Sequence, residues 1–354
     1  MDTKQSINWL SKNNLIKLGK LNQFYLEKVF KECLKANNED ILIIGDTGLR
    51  QQNISSVLSY SYYLAALKLK LNPRLILQRQ KTRGQEADDD VIAALEELNN
   101  EAIIILNLSD KLGSLKHIGK SFRKYCFSKK HRFISSTGLG YLPTEKINEF
   151  IYALNIDYKD LQKKHLEIKK KIDKAKELHV TTLAGTDLII DIKKNKSISA
   201  DGIYIKKGFG GNLPAGEVYF APNNVNGIAI IDASSRNRFN TRLIRKPIKL
   251  VIEECYITSI EDGHKADLLT KTLEWAESKA KYPERIRRIG EFGIGVNPYA
   301  KVIGTTIVDE KSLGTAHIGI GSNYWFGGNN KTIIHLDQVF RNPRIEVDGR
   351  VLKI

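Results

Sequence analysis

Six side chains suited to metal or acid–base chemistry stand in short apolar runs, most of them flanked by glycine. Glu217 lies in "PAGEVYFAP" and Glu291 in "GEFGIGVNP". His317 and Tyr324 share "GTAHIGIGSNY", and His335 and Asp337 share "IIHLDQVF". A charge entering an apolar run has to be paired or ligated, because an isolated ion is costly to bury. His335 and Asp337 are two residues apart, which on a strand puts both on one face. Imidazole together with carboxylate suits Zn, Mn, Co or Fe(II). Carboxylates can also bridge two ions about 3.5–4 Å apart, the spacing of dinuclear hydrolases. Tyr324 can donate to a developing oxyanion or ligate directly, and neighbouring glycines permit close approach. A single acid at a strand end is commonplace and structural; the set is what points to a metal centre. The remaining histidines are poorer candidates. His117, His131, His165 and His179 sit in basic helical or loop stretches, and His264 follows "EDG" at the start of a helix.

These residues need strands to hold them, and the chain supplies two different architectures. In residues 1–155, "ILIIGD" (41–46), "PRLILQRQ" (73–80), "AIIILNLSD" (102–110) and "RFISSTG" (132–138) read as buried strands alternating with helices. That alternation predicts an α/β domain with a parallel sheet. "GDTGLR" after the first strand matches neither nucleotide-binding fingerprint and reads as a strand-end turn. Residues 156–180 predict a connecting helix with Leu161, His165, Ile168, Ile172 and Ala175 on one stripe. Residues 181–354 break into short strand-like runs separated by Gly, Asn and Pro, with strong helical character only in 264–280. This predicts a strand-rich α+β domain carrying the metal site.

The 354 residues allow about two domains, and 42% hydrophobic with 27% charged residues is ordinary for a globular protein. No apolar run reaches the ~18 residues of a membrane span, and the N-terminus lacks a signal layout, so a cytoplasmic location is expected. Cys33, Cys126 and Cys255 are scattered and suggest neither a disulfide framework nor a zinc knuckle. The net charge of +16 suggests attraction to polyanions. Its densest stretch, 116–132, carries seven Lys/Arg with interleaved Phe122, Tyr125 and Phe127. Base stacking is one reading. A basic amphipathic helix with its aromatics facing the core is the preferred one, so nucleic acid is not expected as a partner.

The motifs "GTDL" (185–188), "NLPAGEVYFAP" (212–222), "GEFGIGVNP" (290–298), "GTAHIGIGSNY" (314–324), "HLD" (335–337) and "VDG" (347–349) occur in an order that resembles the thermophilic metallo-aminopeptidases, typified by aminopeptidases T and S. The resemblance covers roughly residues 180 to 350. It implies a homodimeric, two-metal aminopeptidase acting on peptides, with Zn, Co, Mn or Mg bound by Glu217, Glu291, His317, His335 and Asp337. Glu217 would bridge the metals, and Glu217 and Tyr324 would be catalytic. The family's further acid close before the first His falls at Ser312 here, with Glu310 two residues back.

Two other functions stay open beside hydrolysis. His317, His335 and Asp337 supply two His and one carboxylate, the ligand count of mononuclear Fe(II) oxygenases, and the ring-cleaving 2,5-dihydroxypyridine dioxygenases resemble this same family. The other is a catalytically degenerate, basic binding protein on the same scaffold.

Overall fold

The four apolar runs of the first half are too short for helices, and the first and third are rich in isoleucine. They form the strands Ile41–Asp46, Pro73–Gln78, Ile103–Asn107 and Arg132–Ser136 in a computed structural model that describes residues 1–48, 52–261 and 264–354. All pair in parallel, and a fifth strand, Gly210–Asn212, joins them beside Arg132–Ser136. The helices Ile54–Lys68, Asp89–Glu96 and Phe122–Ser128 make the crossovers, as parallel pairing requires. Asp89 and Asp90 occupy the first turn of their helix, where they suit its dipole. The "GDTGLR" turn is seen as far as Gly48; Leu49, Arg50, and the Asp262–Gly263 pair before the 264–280 helix, lie outside the described residues. At the strand end, the buried Asp46 accepts hydrogen bonds from Gly48 N at 3.0 Å and Ser109 N at 2.7 Å. That lock is the local reason for the turn.

The chain divides into two compact units. One comprises Met1–Tyr158 with Gly202–Ala215; the other comprises Lys159–Asp201 with Gly216–Ile354. The helix Tyr158–Ile172 buries Leu161, Ile168 and Ile172 as its stripe predicts. His165 on that stripe is wholly buried, with Nδ1 2.6 Å from Ser199 Oγ.

In the first unit, the basic 116–132 stretch forms a short turn, Lys116–Ile118, and the helix Phe122–Ser128. Tyr125 and Cys126 enter the apolar core with Phe122 packed against them, while Phe127 stays exposed. The core-facing reading of its aromatics therefore holds for Phe122 and Tyr125 but not for Phe127.

The second unit contains two seven-stranded antiparallel sheets. One runs Tyr256–Glu261, Ile248–Glu253, Asn224–Ile231, Asp187–Asp191, Glu177–Thr181, Arg344–Val347 and Arg350–Val351. The other runs Thr241–Leu243, Ser234–Arg236, His335–Arg341, Thr315–Gly321, Ile289–Gly295, Glu217–Phe220 and Ile198–Ala200. Among the described residues, no helix is long and apolar enough to cross a membrane.

One buried group makes the first unit sensitive to acid. His131 is fully buried, and its Nδ1 accepts a hydrogen bond from Ala102 N at 3.1 Å. Burial pulls its pKa down from 6.5 to about 4, with Lys129 adding to the shift. A depressed folded pKa means stability that is complete above pH 6.5 and lost as pH falls toward 4. Thermal melts between pH 7 and 4 should therefore show a loss reaching roughly 3 kcal/mol from this group. His131→Gln should flatten that slope, and an unchanged slope would remove His131 as its source.

Candidate metal centre

Sheet geometry alone brings five of the six singled-out residues together. In the antiparallel register Gly295 faces Glu217, Gly293 faces His317, Gly319 faces Asp337, and Gly321 faces His335. Side chains alternate along each strand, so Glu217, Glu291, His317, His335 and Asp337 all project from the same face. The opposite face carries Val218, Phe220, Phe292, Ile294, Ile318, Ile320 and Leu336, all buried. The glycines make room for the polar side chains. A Cβ on Gly293 would lie 2.1 Å from His317 Cε1, and one on Gly319 would lie 2.8 Å from both Glu291 Cβ and His335 Cε1.

The cluster is close and dry. His317 Nε2 lies 3.1 Å from Glu291 Oε1 and 3.7 Å from Glu217 Oε2. His335 Nε2 lies 2.9 Å from Asp337 Oδ1 and 3.5 Å from Glu291 Oε2. His335 Nδ1 is 2.8 Å from the Ser322 carbonyl, which can only accept. That bond fixes the ring and leaves Nε2 as the free ligand atom. Three overlapping groups have ligand atoms within 4.8 Å of one another: Glu217–Glu291–His317, Glu291–His335–Asp337 and Glu310–His317–Asp337. The donor set fits a divalent ion, since imidazole nitrogens and carboxylate oxygens converge in each group.

One neighbour, Lys311, escaped the sequence-level reading, and Glu310 entered it only as an acid two residues before the expected position. Glu310 joins the cluster, and Lys311, wholly buried, donates from Nζ to both Glu217 Oε1 and Glu310 Oε1. Both come from a tight turn built on Asp309, whose Oδ1 accepts from Ile303 N at 2.7 Å and Gly304 N at 3.2 Å. Burial raises the Asp309 pKa to about 6 against those bonds. Ser312, the position where the resemblance places an acid, instead donates from Oγ to the Ala300 carbonyl at 2.9 Å. The available signal was the charged triplet Asp309–Glu310–Lys311 between apolar Val308 and Leu313. Tyr324 is 60% exposed on the turn Tyr324–Phe326, with Lys331 Nζ 5.1 Å from its ring centre, and is not one of the grouped ligands.

The electrostatics follow from charges packed together out of water. Burial alone would lower both histidine pKa values. The Glu291 hydrogen bond and the charges of Glu217 and Glu291 outweigh it at His317, raising it to about 9. Asp337 and Glu291 outweigh it at His335, raising it to about 10. Burial raises Glu291, opposed by the two imidazoles. It also raises Glu310 to about 8, with Lys311 opposing and Glu217 and Asp337 adding to the rise. Asp337 goes the other way: burial pushes it up, but His335 pulls it well below its usual range. In the metal-free chain, protons on the imidazoles thus do the work a cation would do.

A ligating His must be neutral, so binding a metal releases those protons and affinity should rise with pH. Substitution gives a more specific expectation. His335→Ala and Asp337→Ala should each weaken metal binding by about tenfold or more. Because the two residues act on one ion, the double variant should be little worse than either single one. Calorimetric titration with Mn(II) checks this, and additive losses would mean that the two act separately.

Comparison with known proteins gives the family of the chain. The fold is that of a solved 2,5-dihydroxypyridine dioxygenase from Pseudomonas putida KT2440, with a TM-score of 0.70 at 18% identity over 95% of this chain and 96% of that one. It is also that of wild-type AmpT from Thermus thermophilus, with a TM-score of 0.60 at 14% identity over 97% of this chain and 100% of that one. At these identities the likeness shows the fold alone. Among curated sequences, the 2,5-dihydroxypyridine 5,6-dioxygenase of Pseudomonas putida KT2440 is 24% identical over 213 residues, 57% of this chain. The match spans 59% of that relative's length. The peptide-bond hydrolysis implied by the aminopeptidase resemblance is thereby corrected, together with its hydrolase and protease character. Its motifs record a sheet face bearing His and carboxylate side chains, and that geometry does not separate the two chemistries. The sequence model of the dioxygenase family matches residues 21–353, and the chain belongs to the 2,5-dihydroxypyridine 5,6-dioxygenase (NicX) family.

Proposed function

We propose that the chain is an Fe(II)-dependent dioxygenase that opens the ring of a dihydroxylated pyridine. The observation that carries this is the buried group Glu291–His335–Asp337 with His317 beside it, inside the region matched by the family. Two imidazoles and a carboxylate are the ligand type of non-haem Fe(II) oxygenases. Fe(II) bound there would supply the redox chemistry that brings O2 and an electron-rich ring together.

The chain's own residues do the rest. His335 Nε2 is presented by the Ser322 carbonyl bond to Nδ1. His335 is also the most open member of its group, its side chain 20% exposed against 6% for Glu291 and 10% for Asp337. Substrate would therefore approach on the His335 side. Aromatic rings gather there: Trp325 meets His335 edge-on at 4.6 Å, Phe326 meets Trp325 at 5.2 Å, and Tyr219 meets Phe326 at 5.2 Å. An aromatic wall beside the open ligand suits a flat aromatic substrate, which prefers offset or edge contacts. Tyr324, next along the same turn and exposed, is placed in this reading as a contact for substrate rather than as a ligand.

The test is oxygen uptake by the Fe(II)-loaded protein in the presence of 2,5-dihydroxypyridine. About one O2 should be consumed per ring lost, and no uptake over the buffer rate would sink the proposal. Trp325→Ala should raise KM several-fold with a smaller effect on kcat. An equal fall in kcat with KM unchanged would remove Trp325 from substrate binding.

A further inference from the structure

The carboxylates Glu217, Glu291, Glu310 and Asp337 are all buried within the cluster of ligand groups. Four acids and two imidazoles are enough for two divalent ions. One cation, however, is already covalently part of the chain. Lys311 is completely buried, and its ammonium donates to both Glu217 and Glu310. An ammonium has three donors and no acceptor, so it can pair with these carboxylates but cannot share a ligand role with them.

We infer that Lys311 stands in the place of a second metal ion and limits the centre to a single ion on the His335–Asp337 side of the cluster. Of the three groups, Glu291–His335–Asp337 alone uses neither Glu217 nor Glu310, and His317, 3.1 Å from Glu291, stands beside it as the second imidazole. An ion there leaves both Lys311 ion pairs intact. An ion in either of the other groups draws on a carboxylate held by Lys311 and sits close to a positive charge with no route to solvent. Repulsion between such charges is large where water is excluded. Removing Lys311 would leave Glu217 and Glu310 uncompensated, a costly arrangement for buried ions unless another cation arrives. Lys311 is thus a positioning residue: it sets how many ions bind and where. The inference rests on the reading of the cluster as a metal centre, not on the identity of the substrate.

The experiment is metal stoichiometry. Chelator-stripped protein is titrated with Mn(II) by calorimetry, and bound metal is counted by mass spectrometry after gel filtration. The wild-type chain should bind one equivalent, with the electron paramagnetic resonance spectrum of an isolated ion. Lys311→Met, close in length but uncharged, should bind a second equivalent and show spin coupling between the two. Two equivalents in the wild type would overturn the inference, as would one equivalent in Lys311→Met at unchanged affinity. Should Lys311→Met fail to fold, it is refolded with one and with two equivalents of Mn(II). Recovery only with two supports the role of Lys311, and recovery with neither overturns it. Oxygen uptake separates this inference from the proposed reaction. One ion without uptake would leave Lys311's role standing and sink the reaction, and two ions with uptake would do the reverse.

Discussion

The second unit is organised around one electrostatic constraint: four carboxylates lie out of water on one face of a sheet. Such a concentration of like charge is tolerated only with compensating positive charge close by. The protein supplies it from three sources. Lys311 pairs with Glu217 and Glu310, His317 lies against Glu291, and His335 lies against Asp337. The pKa directions express the same balance, with both imidazoles held well above 6.5 and Asp337 held low. A divalent ion bound here would replace those protons.

The remainder of the sheet serves that balance. The strands Ile289–Gly295 and Thr315–Gly321 are buried along their whole length, so both faces are covered. One face is filled by apolar side chains such as Phe292 and Ile318. The other is thinned by glycine at positions 293 and 319, where any side chain would collide with the ligands. Sites carried on strands hold their geometry better than sites on loops. The one part built on a turn, Glu310–Lys311, is stiffened by Asp309, which takes up the backbone N–H groups of Ile303 and Gly304.

The same fold is found in a 2,5-dihydroxypyridine dioxygenase and in AmpT. Architecture therefore does not choose the reaction, and the chemistry lies in the side chains grafted onto it. In this chain a lysine lies inside the acid cluster and an aromatic wall stands beside His335.

The alternation of strands and helices in the first half is legible in the residues alone, because buried parallel strands read as continuous apolar runs with helical crossovers between them. So is the grouping of Glu217, Glu291, His317, His335 and Asp337, since a polar residue carried into an apolar strand must find a partner there. The path of Gly210–Asn212, which leaves the strand-rich half to extend the first sheet, has no such signal: three residues with two glycines carry no hydrophobic pattern. Lys311 is hidden for a different reason, because a lysine beside two acids reads as a solvated surface turn. Its burial emerges from the packing of the turn against the sheet. There the cost of isolating charge from water makes Lys311 a partner of Glu217, a residue 94 positions away in the chain.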